Sequence, residues 1–230
     1  MSERFFLSMP PRDGRAVLVG DEARHLARVM RCTVGDEVVV FDGRGTAWRA
    51  RVASIGRDEV GLDLGEAMTG PRPARVPLTL AVALPKGERQ KWLVEKLTEL
   101  GVDRLVPLAT VRGVAEATPA AVERLSRGVI EACKQCGRDA LMQIGGPKSV
   151  AEVVGDAESD MVLLVADRDG VPLEEIATEG NSVVALIGPE GGFTADELAT
   201  VEAAGGRRVS LGPHVLRVET AAIALAARFA

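Results

Sequence analysis

The second part of the chain alternates apolar strand-like runs with amphipathic helical patterns, and this alternation restricts the fold more than any other feature. Five runs, from "LTLAVAL" (78–84) to "RRVSLG" (207–212), are predicted as strands. Three of them, "LTLAVAL", "MVLLVAD" and "SVVALIG", are almost continuously apolar. Strands that are apolar on both faces are typical of a parallel sheet covered by helices on both sides. The sequence therefore predicts an α/β domain with a parallel sheet.

Capping residues mark several of the predicted helices. Thr118 and Pro119 begin a long helix that ends near "CKQC", and Gly101 ends an earlier helix that covers 88–102. Thr194 and Glu197 have the spacing of a capping box, which predicts a helix over "TADELATVEAAG". The segment "PLEEIA" is predicted as a short helix, and "ETAAIALAARFA" as an apolar helix that closes the sequence.

The first part of the chain has a different pattern. "EVVVFDG", "RGTAWRARVASIG" and "RDEVGLDLG" predict short strands joined by turns. The exception is "DEARHLARVMR", where Asp21 is predicted to cap a short helix. Its apolar positions share one face, and they are Ala23, Leu26, Ala27 and Met30. We therefore predict a small β-barrel with one helix whose other face is basic.

A proline-rich segment separates the two parts. "EAMTGPRPARVP" (66–77) contains three prolines and is predicted as a linker. The 230 residues are enough for one large or two small domains. We predict two domains, over residues 1–70 and 74–230.

Several classes of protein are disfavoured by composition. The start "MSERFFLSMP" fits neither a signal peptide nor a membrane anchor, so the cytoplasm and no membrane partner are expected. Cys32, Cys133 and Cys136 are too few for a disulfide framework. With His25 and His214 they also make a poor zinc set, so no metal is expected. We interpret the cysteines as packing residues, with a redox pair at 133 and 136 as the alternative.

Charge is unevenly distributed along the chain. The formal net charge of −5 argues against a nucleic-acid partner. Residues 1–75, however, hold 12 arginines, no lysine and 11 acidic residues, for a net charge near +1. Such a segment could form a local phosphate-binding patch, or its arginines could be a solvated surface. Charge alone leaves both interpretations open.

Three loops after predicted strands contain residues suited to ligand binding. They are "PKGER" (85–89), "GPEGG" (188–192) and "GPHVLR" (212–217). Open α/β sheets bind ligands at the carboxyl ends of their strands. Glycines at 188, 191 and 192 would let a planar ligand lie on the main chain, whereas the alternative is a tight turn. The carboxylate of Glu190 suits a cationic or neutral ligand, and neither a P-loop nor a dinucleotide fingerprint is present.

The last helix adds two predictions. Arg217 lies just before it and is suited to a phosphate or a developing anion. Glu219 lies in its first turn, where the helix dipole stabilises a negative charge, so a purely structural role is the alternative. The helix has small and apolar residues on more than one face. It is therefore either deeply buried or packed on a partner subunit, and we predict a homodimer.

Five blocks of the sequence resemble one known family. "LIGPEGGFTADEL" and "VSLGPHVLRVETAAIAL" resemble the C-terminal signature of the RsmE-type methyltransferases of ribosomal RNA, which are S-adenosylmethionine-dependent enzymes of the SPOUT superfamily. "LPKGERQKWLVEKLTELGVDRLVPL" and "EACKQCGR" are similar to other segments of that family, and "DEARHLARVMRCTVGDEVVVFDGRG" is similar to its PUA-like RNA-binding domain. Departures from the family pattern are modest, and one is Arg112-Gly113 in place of an arginine–serine pair.

This resemblance implies a fold, an activity and partners. The second domain is expected to be a SPOUT domain with a deep trefoil knot, and the first a PUA-like β-barrel. The expected enzyme is a homodimer that uses S-adenosyl-L-methionine to methylate N3 of one uridine in 16S ribosomal RNA of the small subunit. Methylation of another RNA and a non-catalytic assembly role remain alternatives.

The resemblance and the chemistry of methyl transfer together assign candidate site residues. The cofactor is expected on two loops, at Gly188, Glu190, Gly191, Gly192, Leu211, Gly212 and Leu216. Uracil N3 must lose its proton before it can attack, so a cation or a base is required. The catalytic candidates are Arg138, Arg217 and Glu219, with Glu190 as a second possible base. RNA contact is expected through phosphates and shape at Arg4, Arg24, Arg28, Arg31, Lys86 and Arg89.

Overall fold

The structure is a computed structural model of the 230-residue chain, and it describes residues 3–68, 76–113, 117–158, 160–176 and 181–230. The chain divides into two compact units. Unit 1 comprises Met1–Pro73 and Ile130–Leu141, and unit 2 comprises Ala74–Val129 and Met142–Ala230.

The described residues of unit 1 form a five-stranded sheet in the order β1-β3-β4-β5-β2. Neighbouring strands are antiparallel except for β1 and β3, which are parallel. The three predicted strands are confirmed as β3, β4 and β5. The strands are β1 (Arg4–Phe6), β2 (Arg15–Val19), β3 (Glu37–Phe41), β4 (Ala47–Ile55) and β5 (Glu59–Met68).

Strand β5 extends into the predicted linker. The linker was expected from residue 66, but residues 66–68 pair with β4 as far as Met68. The central proline-rich part, residues 69–75, lies outside the described residues, so the boundary between residues 70 and 74 stays a prediction.

The predicted helix of unit 1 exists, but its predicted cap is wrong. Helix α1 (Gly20–Arg24) continues as a π-helical turn over His25–Val29. The N-cap is Val19, and Asp21 lies inside the first turn, where its carboxylate pairs with Arg24. The apolar face is confirmed, because its residues are buried or packed on the unit's core, namely Ala23, Leu26, Ala27 and Met30.

Unit 1 includes a segment that the sequence assigned to the second domain. Residues Ile130–Leu141 cover the end of a long helix and the loop that follows it. Lys134 Nζ lies 2.9 Å from Glu22 Oε1, and Asp139 pairs with Arg4. These ion pairs join positions more than 100 residues apart, which local sequence patterns do not reveal.

The sheet of unit 2 is parallel, as predicted. Its described strands have the order β12-β10-β11-β6-β7-β8, with β9 also paired to β7. Every one of these pairings is parallel. Two short strands, β8 and β9, were not predicted. The strands are β6 (Leu78–Val82), β7 (Arg104–Ala109), β8 (Gln143–Ile144), β9 (Lys148–Ser149), β10 (Met161–Pro172), β11 (Ser182–Ile187) and β12 (Arg207–Ser210).

The helices follow most of the predicted signals. Thr194 and Glu197 form the predicted capping box of α5, Thr118 Oγ1 accepts from the N–H of Ala121 at the start of α3, and Gly101 follows α2 with φ of 82°. "PLEEIA" contains a 3₁₀ turn instead of an α-helix. The helices are α2 (Arg89–Glu99), α3 (Pro119–Cys136), α4 (Val150–Gly155), α5 (Ala195–Ala203) and α6 (Val218–Phe229).

Helix α6 returns across the sheet after the edge strand β12. It contacts α2, β6 and β11, although β10 and β11 separate β12 from β6 in the sheet. Its buried face includes Val218, Ala222 and Leu225, whereas Ala224 and Ala227 are exposed. The helix is thus half-buried within its own unit. Among the described residues, no helix combines the length and hydrophobicity needed to cross a membrane.

Candidate active site

Three neighbouring strands end at the same edge of the sheet in unit 2. The pairing of β10 with β11 ends at Ala166 and Ile187, so Asp167 and Gly188 are the next residues on each strand. Strand β12 lies on the other side of β10 and is followed by Leu211. Since all these strands are parallel, their carboxyl ends form one rim, where open α/β sheets bind ligands.

A cavity of about 210 Å³ lies at this rim. Apolar side chains line part of it, including Ile187, Val209 and Val218, and the loops after β11 and β12 supply main chain at Gly188 and Gly212. The cavity is smaller than the roughly 300–1,000 Å³ of typical small-molecule sites. Its lining includes His214 and Val215, which are exposed.

The cavity brings together six of the seven predicted cofactor residues. They come from two loops that are 19 or more positions apart, and they are Gly188, Glu190, Gly192, Leu211, Gly212 and Leu216. Gly191 is exposed and does not line the cavity. The prediction that these loops meet is therefore confirmed, whereas ligand binding by each residue stays a prediction.

The chain itself explains two of the three glycines in "GPEGG". A Cβ on Gly188 would lie 2.9 Å from the ring of Phe193, and Gly192 has φ of 67°, which strains residues with a side chain. Gly191 differs, because a Cβ there would make ordinary contact with Arg112 at 3.4 Å. The alternative of a tight turn thus accounts for Gly188 and Gly192 but leaves Gly191 unexplained.

Arg112 holds the glycine loop, which we define as residues 188–193. Its Nη1 donates to the carbonyl oxygens of Gly191 at 2.7 Å and Phe193 at 3.3 Å. Next to it, the N–H of Val111 donates to Glu197 Oε1 at 3.0 Å. Sequence reasoning gave Arg112 no role, because 79 residues separate it from Gly191.

Arg89 lies between two carboxylates. Its Nη1 is 3.5 Å from Glu190 Oε1 and 3.6 Å from Glu219 Oε1. Glu190 is half exposed, but Glu219 is buried, and its Oε2 has no hydrogen-bond partner among the described residues. Arg89 was predicted to contact RNA, yet the structure pairs it with two acidic residues of its own unit. A buried carboxylate oxygen without a donor is costly unless something else supplies one.

The three catalytic candidates lie in different surroundings. Glu219 is buried in the first turn of α6, and Arg217 is exposed at the N-cap of that helix. Arg138 is partly buried and belongs to unit 1, whereas the other two belong to unit 2. The structure therefore brings Arg217 and Glu219 to one helix end, and the role of each stays a prediction.

The RNA-binding candidates differ in exposure. Arg28, Arg31 and Lys86 are exposed, and Arg24 is exposed but paired with Asp21. Arg4 has only 17% of its side chain exposed, because it pairs with Asp139 and lies over the ring of Phe41. The structure thus leaves little of Arg4 for a phosphate, and the exposed cations remain the better candidates.

A bulge in β10 forms a wall of the cavity that the sequence did not reveal. Ala166 and Val171 both pair with Val209, so residues 167–170 loop out of the β10–β12 ladder. Asp167 and Arg168 in this bulge line the cavity. A Cβ on Gly170 would lie 2.5 Å from the backbone of β12, so the bulge requires glycine there.

One oxygen of the Asp167 carboxylate accepts two hydrogen bonds, which hold the side chain in place. Its Oδ1 accepts from Arg208 Nη2 at 2.7 Å and from the N–H of Asp169 at 2.8 Å. The hydrogen bond that Arg208 donates to Asp167 raises the pKa of the Arg208 guanidinium above its ordinary value. Local sequence patterns do not predict this ion pair, because 41 residues separate Asp167 from Arg208.

A second cavity, of about 410 Å³, lies at the ends of β6 and β7. Its lining includes Leu84, Leu108 and Thr110, and none of the predicted cofactor residues. The described residues contain no group of three or more histidine, cysteine or acidic side chains that could hold a metal ion. Cys133 is buried, and burial raises the pKa of the Cys32 thiol, which agrees with packing roles for these two cysteines, whereas Cys136 is exposed.

Comparison with known proteins agrees with this geometry. Residues 72–230 match the model of an RNA methyltransferase domain, and residues 18–64 match that of an RNA methyltransferase PUA domain. Together with the parallel sheet, these matches define a SPOUT-type RNA methyltransferase with a PUA-like domain. The chain belongs to the ribosomal RNA small subunit methyltransferase E family.

Relatives support this membership along nearly the whole chain. The family member from Mycobacterium bovis is 34% identical over 225 residues, which cover 94% of this chain and 86% of that protein. The member from Bacillus subtilis is 27% identical and covers 89% of this chain and 85% of that protein. The crystal structure of the Neisseria gonorrhoeae member, bound to S-adenosyl methionine, superposes with a TM-score of 0.92 at 26% identity, covering 99% of this chain and 96% of that one.

Proposed function

We propose that this protein transfers the methyl group of S-adenosyl-L-methionine to N3 of one uridine in 16S ribosomal RNA of the small ribosomal subunit. The family and the Neisseria gonorrhoeae structure with its bound cofactor support the general reaction. One observation in this chain supports it most directly: two predicted cofactor loops meet at the carboxyl ends of β10, β11 and β12, around one cavity.

The cavity fits a cationic methyl donor with an adenosine group. Its apolar side chains suit a planar base, and the main chain at Gly188 and Gly212 offers donors and acceptors beside them. Glu190 provides a carboxylate at the wall, and the lining includes no lysine and one arginine, the exposed Arg168. When bound, S-adenosyl-L-methionine supplies an electrophilic methyl group on a sulfonium. The protein's contribution is to orient the reactants and to stabilise charge.

Removal of the uracil N3 proton requires help from the protein. Glu219 is a suitable acceptor, because its Oε2 lacks a donor among the described residues and would gain one from an N–H of the substrate. Its other oxygen faces Arg89 at 3.6 Å, which holds the carboxylate in place. Glu190 is the second candidate, since it shares the same arginine.

The uracil anion that results needs a cation near its oxygens. Arg217 is exposed and precedes α6, whose first turn also presents N–H groups to an anion. Arg138 is the other candidate. We propose that one of these arginines stabilises the anion and that neither removes the proton, because a guanidinium stays protonated.

Recognition of the RNA would use phosphates and shape more than base stacking. The chain has no tyrosine and only seven phenylalanine and tryptophan residues. Exposed Arg28, Arg31 and Lys86 are the proposed phosphate contacts. With a net charge of −5, the protein should bind free RNA weakly and should need the assembled subunit.

The test is methylation of small subunits isolated from a strain that lacks the gene. Purified protein, S-adenosyl-L-methionine and these subunits should yield 3-methyluridine in 16S RNA, measured by mass spectrometry of nucleosides. In a parallel reaction with transfer RNA from the same strain, methylation of that RNA and none of the subunits would favour the alternative substrate. Absence of both cofactor binding and product would favour a non-catalytic assembly factor.

We further propose a homodimer. Helix α2 exposes Trp92, and α6, which contacts α2, exposes Ala224 and Ala227. Small residues allow close packing of helices, so a second copy could cover this face. Sedimentation equilibrium should give twice the 24.2 kDa mass of the chain, and a monomer at micromolar concentration would contradict the proposal.

A trefoil knot and a cytoplasmic location complete the proposal. Helix α6 crosses back over the sheet after β12, which is compatible with a chain threaded through its own loop. When the chain is pulled from both ends, its extension should then stay below the roughly 3.3–3.6 Å per residue of a fully extended chain. Extension to the full length would exclude a knot. Because ribosomal subunits are the proposed substrate, we expect the protein in the cytoplasm.

A further inference from the structure

The bulge in β10 carries a carboxylate that none of the proposed roles uses. Asp167 is the first residue beyond the β10–β11 ladder, on the strand next to Gly188, and it lines the cavity. The conformation of the bulge depends on a glycine at position 170, because Gly170 lies too close to the backbone of β12 for a side chain. Both features place Asp167 at the ligand cavity and hold it there.

The two oxygens of this carboxylate are not equivalent. Oδ1 accepts from Arg208 Nη2 and from the N–H of Asp169. Among the described residues, no donor reaches Oδ2 within hydrogen-bonding distance. Only 19% of the side chain is exposed, so the unused oxygen is available mainly to a molecule in the cavity.

The negative charge of Asp167 is already paired, so a neutral donor can use the free oxygen. Arg208 Nη2 lies 2.7 Å from Asp167 Oδ1, and the same guanidinium also lies 4.0 Å from Asp169 Oδ2 and 3.8 Å from Glu202 Oε1. A hydroxyl group gains a charge-assisted hydrogen bond from such a carboxylate without adding positive charge. In dinucleotide-binding folds, an acidic residue accepts from a ribose hydroxyl in a comparable position near the carboxyl ends of parallel strands.

We propose that Asp167 binds the ribose hydroxyls of the methyl donor through Oδ2, and that Arg208 is a positioning residue that orients the carboxylate. This proposal rests on the proposed function, since it assigns one part of the same cofactor. Glu190, on the opposite loop, is left for the cationic part of the molecule.

The test combines ligand and protein variants, with binding measured by calorimetry. The ligands are S-adenosylhomocysteine and its 2′-deoxy and 3′-deoxy analogues. The wild-type protein should lose about 10- to 100-fold in affinity when the contacted hydroxyl is absent. Asp167→Asn should bind S-adenosylhomocysteine about 10- to 100-fold more weakly and should discriminate less against that deoxy analogue.

Asp169→Asn is the matched control. It removes the same charge from the same bulge, but its carboxylate is 84% exposed and lies 4.0 Å from Arg208. Affinity and discrimination should stay as in the wild type. If Asp167→Asn does not fold, as judged by its thermal unfolding, Asp167→Glu supplies the comparison, since it keeps the charge and displaces the oxygen.

The outcomes separate this proposal from the proposed function. A wild-type protein that binds neither S-adenosylmethionine nor its product contradicts the proposed function itself. A wild-type protein that binds both but ignores the ribose hydroxyls overturns the role of Asp167 only. Full discrimination retained by a folded Asp167 variant would overturn it as well.

Discussion

The two loops that form the cavity are held in different ways. The glycine loop, residues 188–193, receives two hydrogen bonds from Arg112, buries Phe193 and leads into the capping box of α5. The loop after β12 exposes residues 212–215, with Val215 79% exposed, and ends at α6 without a side-chain cap in the described chain. One wall is thus fixed by contacts within the protein, whereas much of the other wall is exposed.

The largest difference between the loops should appear in stability. Phe193→Ala removes a ring that is 93% buried against Gly188, and it should cost about 3–5 kcal/mol of unfolding free energy. Val215→Ala in the other loop should change it by less than about 0.5 kcal/mol. Urea unfolding of both variants checks this. Similar losses for the two would mean that the second loop is also packed, as in a dimer.

A side chain at Gly191 should weaken cofactor binding without unfolding the protein. Gly191 does not have a positive φ, and a Cβ there would make only ordinary contact with Arg112. Gly191→Val should therefore fold. If the main chain contacts the methyl donor, overpacking should weaken binding by up to about 100-fold. Gly146→Val, at an exposed glycine with open space around it, is the control. Unchanged calorimetric affinity in Gly191→Val would show that the donor does not contact Gly191.

Replacement of Arg112 should loosen the glycine loop and weaken cofactor binding. Arg112→Ala removes hydrogen bonds from a charged donor to two carbonyl groups, so the affinity for S-adenosylmethionine should fall about 10-fold or more. Arg112→Lys should recover only part of it, because an ammonium lacks the planar donors of a guanidinium. Exposed Arg127→Ala serves as the control. Equal affinities in the alanine variants would show that the loop does not depend on Arg112.

The caps of the two following helices should respond in opposite directions. Thr194→Ala breaks the capping box of α5 and should lower the free energy of unfolding by about 1 kcal/mol. Chemical denaturation measures the change, with Thr200→Ala as the control, since this exposed hydroxyl bonds only within the same helix. A loss as small as that of the control would mean that α5 is stabilised by packing alone.

The substitution Arg217→Ser should have the smallest effect on the free energy of unfolding, and it should raise it. Its backbone already has N-cap geometry, with φ of −66° and ψ of 155°, so Arg217→Ser could accept a hydrogen bond from the first turn of α6. The variant should be more stable by about 0.5 kcal/mol. Methyl transfer should fall sharply if Arg217 stabilises the uracil anion. A stabilised variant with full activity would remove Arg217 from the catalytic candidates.

Much of the architecture was accessible from the sequence, because local signals are strong. The doubly apolar strands predicted a parallel sheet, and Thr194 with Glu197 predicted the start of α5. The rule that ligands bind at the ends of parallel strands then predicted where the two loops would meet. The wrong cap at Asp21 lies in a short element, where packing outweighs local preference. The elements that were missed are also short, and they are β1, β2, β8, β9 and α4.

The contacts that shape the site were less accessible. Arg112 and the Asp167–Arg208 pair act on partners between 41 and 81 residues away, and nothing in their local sequence identifies those partners. Arg89 was assigned to RNA as a cation beside the cofactor domain, and in the structure it lies 3.5 Å from Glu190 and 3.6 Å from Glu219 of its own unit. Side-chain partners of this kind depend on strand order and register, which periodicity does not encode.

The tight crossing at Gly170 also bears on how the site can change over evolution. Any other residue there would force a Cβ to within 2.5 Å of the main chain of β12, so nearly every substitution should damage folding before it alters binding. A small-molecule inhibitor that relied on contacts with this backbone would consequently meet a position where resistance mutations are hard to acquire.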